Sequence, residues 1–459
     1  MVLVMFGTTL ARPGRVRLYP LALGLALLSL IAALLSFGAR GELFYVAYRI
    51  DALSQLFKVI ITLGLLLVVG STEGVRGIAE KLRPEYHMFL AIGALGLVFL
   101  TSANELLTIV MSLEISAFAL NLIIPFRFCS FCRGHLEAAI KYFLFGVVST
   151  GVMLYGMSYI FGLAKTTRLD ELAPLIPSLL RTEPLAIIAF VMLLCGFFFK
   201  LAMFPLHFLT PDVYEGSANE TATILATLPK IAAVAVLIRF MGLTGSDMTR
   251  LTWVLAAFAI LSMTVGNLSA LVQKDLKRLL AYSAIAHAGY VMIALLSVNQ
   301  LGFAAAIYYI AGYLVMNLAL FHVIYHLARN GENLTFAGLT GLHRRSPLLA
   351  FTLAVGAFGL TGIPPTVGFT GKFLIFTAAL QRGYYSLVIL AVINAAISAF
   401  YYLKMVRAAY CQPDEEKGPL RLGLPATMLA LFYSATAILL GALPQGLLTL
   451  AKQAVAGMR

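Results

Sequence analysis

Runs of about twenty apolar residues recur along the whole chain with only short polar breaks, and that is the length an α-helix needs to cross the hydrocarbon core of a bilayer. Thirteen runs can be read, at approximately 18–37, 52–70, 86–101, 104–125, 139–163, 184–205, 219–242, 250–272, 277–297, 301–328, 347–380, 384–410 and 422–450. A membrane β-strand alternates apolar and polar residues, so these continuous runs exclude a β-barrel. The expected fold class is an all-α polytopic membrane protein with about 13 transmembrane helices. Composition agrees, since 61% of the 459 residues are hydrophobic and only 12% charged, against about 25% charged in soluble domains. The net charge of +13 then reads as lipid contact and topology, not as nucleic-acid binding.

Four lysines, Lys141, Lys200, Lys230 and Lys372, fall inside these runs. A charged side chain at the bilayer centre costs roughly 2.5–3.5 kcal/mol even on lenient insertion scales. Lysine also loses its proton on burial far more readily than arginine does. A row of buried lysines therefore points to a proton path. Glu114, mid-helix among apolar neighbours, needs a cationic partner, and Lys200 is the leading candidate. The pair serves either as a structural tie between two helices or as a device that tunes the lysine. Lys141 lies near a helix start, where snorkelling is an equal alternative. Lys58 and Lys404, near helix ends, are expected to snorkel, and Arg239 to reach a surface. His207, His287 and His322 are possible relays because imidazole titrates near neutrality, His287 first among them. Tyr282, Ser283 and Asn317 are candidates to hold water beside them.

Prolines divide two of the lysine-bearing runs. Lys200 precedes Pro205 in the sixth run, and Pro364-Pro365 precede Lys372 in the eleventh, which is too long for one straight span. The two broken helices are five apart, and an odd offset reverses orientation, the pattern of an inverted-topology repeat. The expected division is 1–85 for a tail and two peripheral helices, 86–242 and 250–410 for two five-helix repeats, each a proton half-channel, and 411–459 for a C-terminal helix. Arginines and lysines number 17 in the loops on the side of the N-terminus and 9 on the other. This bias places the N-terminus in the cytoplasm and the C-terminus outside. Met1–Leu10 lacks a basic start and is followed by Arg12, Arg15 and Arg17, which fits a remnant or surface tail better than a cleaved signal.

Cys129 and Cys132 form a C-x-x-C near His135, short of a metal site by one ligand. The chain has no dinucleotide-binding glycine motif, no P-loop, no H-E-x-x-H and no cysteine set for an iron–sulfur cluster. No metal or cofactor is expected in it.

Leu136-Glu137-Ala138-Ala139-Ile140-Lys141-Tyr142, Phe199-Lys200 through Pro205-Leu206-His207 to Asp212-Val213-Tyr214, Lys277-Arg278-Leu279-Leu280-Ala281-Tyr282-Ser283 through His287 to Tyr290, and Gly362-Ile363-Pro364-Pro365 through Lys372-Phe373 together resemble subunit N (subunit 2 in the mitochondrial scheme) of proton-pumping NADH:quinone oxidoreductase, respiratory complex I. The resemblance covers nearly the whole chain. It implies two inverted repeats joined by a polar axis at mid-membrane, with Glu114 paired to Lys200, Lys230 central, Lys372 serving the second half-channel and Lys141 a further family lysine. It also implies an enzyme complex in which NADH, FMN, iron–sulfur clusters and quinone belong to partner subunits. The partners of this chain would be other membrane-arm subunits, including neighbouring antiporter-like ones, in the cell inner (plasma) membrane. Two departures stand out. The family commonly has fourteen helices, with the first here reduced to Met1–Leu10. The usual proline-rich start of the seventh run is replaced by Ser217-Ala218-Asn219-Glu220-Thr221, where Glu220 caps a helix start or alters the proton entrance. Competing readings are a multisubunit cation/proton antiporter, a ferredoxin- or hydrogenase-linked relative of complex I, and a structural spacer in a membrane arm.

Overall fold

A computed structural model describes residues 18–128, 134–245, 249–328, 330–411 and 418–458. The tail Met1–Leu10, Arg12, Arg15 and Arg17, the Cys129/Cys132 motif, Arg133, Arg329, Lys417 and Arg459 lie outside the described residues.

The chain is built of helices α1 Leu18–Leu35, α2 Ala52–Ser71, α3 Arg83–Ser102, α4 Leu106–Ile123, α5 Gly134–Ala164, α6 Pro184–Leu201, the short α7 Thr210–Gly216, α8 Asn219–Thr244, α9 Thr249–Leu271, α10 Leu276–Leu296, α11 Gln300–Leu327, α12 Pro347–Thr361, α13 Val367–Gln381, α14 Tyr385–Cys411, α15 Leu424–Ala442 and α16 Gln445–Ala456. Among the described residues, twelve helices are long and apolar enough to cross a membrane. The eleventh run appears as two shorter apolar helices, α12 and α13, parted at Gly362–Thr366, as its prolines require. The last run is also two helices, not one: Pro444 stops α15, and α16 turns off with Ala451, Ala454 and Val455 buried. A small antiparallel hairpin, Gly41–Leu43 with Tyr48–Ile50, fills the link before α2.

Helix ends are fixed locally. Asp51 caps α2 with a reciprocal box, accepting from Ser54 N at 2.8 Å while Ser54 Oγ accepts from Asp51 N at 2.9 Å, so two otherwise orphaned donors are satisfied. Helices α8, α10 and α11 are buried along almost their whole length, whereas α1, α5 and α15 are mostly exposed. A helix apolar on all sides belongs inside a bundle, and these three form its centre. Corresponding pairs pack in each half: α3 on α4 and α9 on α10, α5 on α6 and α11 on α12, α5 on α7 and α11 on α13.

Arg239, expected at a surface, is instead buried near the end of α8. Its guanidinium meets both Asp51 oxygens, at 2.9 and 3.0 Å, and the Thr101 carbonyl at 3.2 Å. Lys58 is 9% exposed, and its Nζ lies 5.0 Å from the ring centre of Tyr48, in the hairpin that precedes α2. Lys404 is exposed and lies over Phe336.

Candidate functional site

The two broken helices end in the same way. Ala202 (φ 62°) and Gly362 (φ 90°) both adopt the left-handed conformation. Ala202 N bonds Phe199 O at 3.1 Å and Met203 N bonds Phe198 O at 2.8 Å. Gly362 N bonds Gly359 O and Ile363 N bonds Phe358 O, each at 3.0 Å. This paired closure ends a helix while leaving its last carbonyls open. The negative end of each helix dipole then sits inside the bundle.

A lysine occupies each end. Lys230, fully within α8 and 3% exposed, donates to Leu201 O at 2.7 Å. Lys372, on α13 and 5% exposed, donates to Leu360 O at 2.9 Å and Thr361 O at 2.8 Å, with its Nζ 4.9 Å from the Tyr290 ring centre. The two ends reach this arrangement differently: α6 is met by Lys230 from α8, beyond the short α7, and α12 by Lys372 from α13, the helix directly after it. Neither ammonium has a carboxylate within 4.0 Å among the described residues.

His287 joins the two ends. It lines a small gap with Lys230, Leu201 and Tyr313. Its Nδ1 bonds Tyr309 Oη, its Nε2 lies 3.1 Å from Tyr402 Oη, and Tyr402 in turn meets Ser283 Oγ. Tyr290, whose ring faces Lys372, is 5.9 Å from the His287 ring. Lys230, His287 with its tyrosines, and Lys372 thus stand as near neighbours in one line. Asn317 Nδ2 bonds the Tyr313 carbonyl at 2.9 Å beside this line.

Glu114 and Lys200 are neighbours without forming the expected direct ion pair. Glu114 Oε1 accepts from Thr150 Oγ1 at 2.6 Å, while Lys200 Nζ lies 5.4 Å from the Tyr142 ring centre. Both line one cavity of about 20 Å3, room for a single water. The hydroxyl and the ring each take up part of the charge that the sequence reading assigned to the partner.

Lys141 is not in the axis. It belongs to a charged surface cluster, 2.5 Å from Glu137 and 3.3 Å from Asp212, and Arg278 binds Asp212 at 2.8 Å and Glu215 at 2.6 Å. His207 stacks on Phe204, and His322 bonds Ala426 O at 3.1 Å with its ring 4.5 Å from that of His326. Both packing roles place these two histidines off the line. Lys277, at the start of the ninth run, is wholly buried and donates to Ser217 O at 2.7 Å. Glu220 is not a simple cap: it is 1% exposed, and its Oε1 accepts from Gly77 N at 2.8 Å. Among the described residues no three His, Cys, Asp or Glu side chains gather as a metal site.

Residues 103–398 match the family described as NADH:quinone oxidoreductase/Mrp antiporter, transmembrane. The chain is 46% identical to a protein of Opitutus terrae named NADH-quinone oxidoreductase subunit N 2, over 90% of this chain and 87% of that one. A protein of the same name from Syntrophobacter fumaroxidans is 43% identical, over 97% and 94%. Among solved structures, a chain of respiratory complex I from Thermus thermophilus aligns with a TM-score of 0.83 at 32% identity, over 98% of this chain and all of that one. A chain of the Mrp complex from Dietzia sp. shares the fold, with a TM-score of 0.88 at 19% identity over 100% and 95%.

Proposed function

Because the chain belongs to the NADH:quinone oxidoreductase/Mrp antiporter family, and within it to subunit N of the quinone oxidoreductases, we propose that its proton-translocating role is carried by the axis of Lys200, Lys230, His287 and Lys372. It is an antiporter-like, multi-pass membrane subunit of complex I, and its partners are other membrane-arm subunits. In this reading the chain holds no redox centre. NADH, FMN, iron–sulfur clusters and quinone act in other subunits, and their chemistry drives the charge of the axis through neighbouring chains. Residues 86–242 and 250–410 supply one half-channel each, with Glu114 tuning Lys200. The complex sits in the cell inner membrane with the N-terminus of this chain cytoplasmic.

The observation that carries the reading is the seating of Lys230 and Lys372 on helix-end carbonyls without a carboxylate. A carboxylate partner would lock a lysine in its charged form. A carbonyl accepts an N–H from the ammonium and from the neutral amine alike, so each seat tolerates both states and the site can load and empty. The test is Lys372→Met in the intact complex. Normal assembly with impaired pumping per electron is expected, and unchanged pumping removes Lys372 from the path.

A further inference from the structure

A cavity of about 720 Å3 opens at one face of the bundle, lined by Arg127, Glu137, Lys141, Asp212, Glu215 and Glu332 among others. By the loop-charge bias this is the cytoplasmic face. Glu332 in its wall ties to the first turn of α8, its carbonyl accepting from Asn219 Nδ2 at 3.4 Å. The next residue along α8 is the buried Glu220. One of its oxygens accepts from Gly77 N, and the other, Oε2, is buried without a hydrogen-bond partner. Burying a carboxylate oxygen without a hydrogen-bond partner from the protein costs free energy, so this oxygen is open to a proton. Lys277, Arg76 and Arg127 supply positive charge near Glu220, and Tyr86 and Tyr325 face it from α3 and α11.

From Glu220 a polar stripe runs along the first half of α8. Asn219, Glu220, Thr223, Thr227 and Lys230 fall within about 100° of the helical wheel, and Glu220 to Lys230 spans about 15 Å of axis. Thr223 Oγ1 donates to Asn219 O and Thr227 Oγ1 to Thr223 O, each at 2.7 Å, so both hydroxyl oxygens keep lone pairs free to accept. The stripe ends at the ammonium seated on Leu201.

Resting on the function proposed above, we infer that Glu220 is the proton-loading carboxylate of this chain, taking protons from the charged cavity and passing them along the α8 stripe to Lys230. In the uptake step Glu220 Oε2 binds a proton from cavity water and becomes the neutral acid. In the delivery step that O–H bond breaks, Lys230 as neutral amine gains the proton, and Glu220 returns to carboxylate. Glu220, where the family has its proline-rich helix start, thus turns inward to Gly77 N and does not merely cap α8.

The test is Glu220→Gln in the assembled complex, with Lys372→Met prepared alongside. Glutamine keeps an acceptor for Gly77 N and the shape of the site, so the inference expects normal assembly. It also expects pumping about 100-fold slower, the lower end of the scale for a lost proton-transfer group, with a rate that falls in proportion to proton concentration as pH rises. Wild-type pumping, or a lowered rate with the wild-type pH slope, overturns it. Should E220Q fail to assemble, Thr227→Val decides: slowed pumping supports the stripe, and wild-type pumping overturns it. A normal E220Q beside an impaired K372M refutes only this uptake route, whereas normal pumping in K372M refutes the function on which it rests.

Discussion

Lys230 reaches from the middle of α8 to the carbonyl oxygen of Leu201, the last residue of α6, at 2.7 Å. Helix α6 therefore ends on a titratable group from another helix, and a shift of either helix changes how well the ammonium is held. Lys230→Met fills similar volume but removes the proton site. We expect assembled complex with pumping reduced about 100-fold, the upper scale for a proton-transfer group being larger still. Acidification of inverted membrane vesicles, normalised to assembled complex, measures it, and residual pumping above half of wild type contradicts the assignment.

The two helix breaks make opposite demands on their left-handed residue. Ala202 carries a Cβ at φ 62°, a cost of roughly 1–2 kcal/mol, so Ala202→Gly should leave stability equal or raise it by about 1 kcal/mol. At Gly362 an added Cβ would stand 3.0 Å from Cδ of Lys372. Gly362→Ala should therefore lower thermal stability and also impair pumping, because it pushes Lys372 off the Leu360 and Thr361 carbonyls. Thermal unfolding and pumping of both variants check the contrast.

Burial alone would raise the Asp51 carboxyl, but the Arg239 guanidinium and the Ser54 backbone N–H hold it below its usual range. That stabilisation is present above about pH 4 and is lost as pH falls through the lowered carboxyl value. Asp51→Asn leaves Arg239 buried and uncompensated, a loss of about 3–5 kcal/mol. Adding Arg239→Gln should recover part of it. Thermal inactivation of the single and double variants reads the difference.

Reporter fusions at Met1 and Arg459 should report opposite faces of the membrane, the cytoplasm for Met1, as the bias of 17 against 9 loop charges demands. Both ends on one side would refute an odd number of crossings.

Much of this architecture was legible in the sequence, because bilayer thickness imposes run length and proline imposes the breaks at Pro205 and Pro364-Pro365. The depth of Lys230 and Lys372 followed from their positions within those runs. What each lysine touches did not follow, since a carbonyl seat arises only when two helices meet. Glu114 and Lys200 were expected to pair by charge alone, yet Thr150 and Tyr142, from a third helix, intervene. Arg239 and Lys58 were judged by distance from a helix end, and Lys277 stands at the first residue of its run. Burial there depends on whether a neighbour covers that end, as Asp51, Tyr48 and Ser217 do, and no periodicity encodes it.

The central claim is that buried lysines carry the proton and do not merely hold helices. Lys200 separates the two roles, because arginine preserves the attraction to Glu114 and to the Tyr142 ring. With a pKa above about 12, arginine would need a shift of about five units, roughly 7 kcal/mol, to release a proton near neutrality. The measurement is quinone-dependent turnover and membrane acidification in Lys200→Arg and Lys200→Met, normalised to assembled complex. Assembly of both variants with most activity lost in both is the predicted result. A fully pumping arginine variant beside an unassembled methionine variant would contradict the claim.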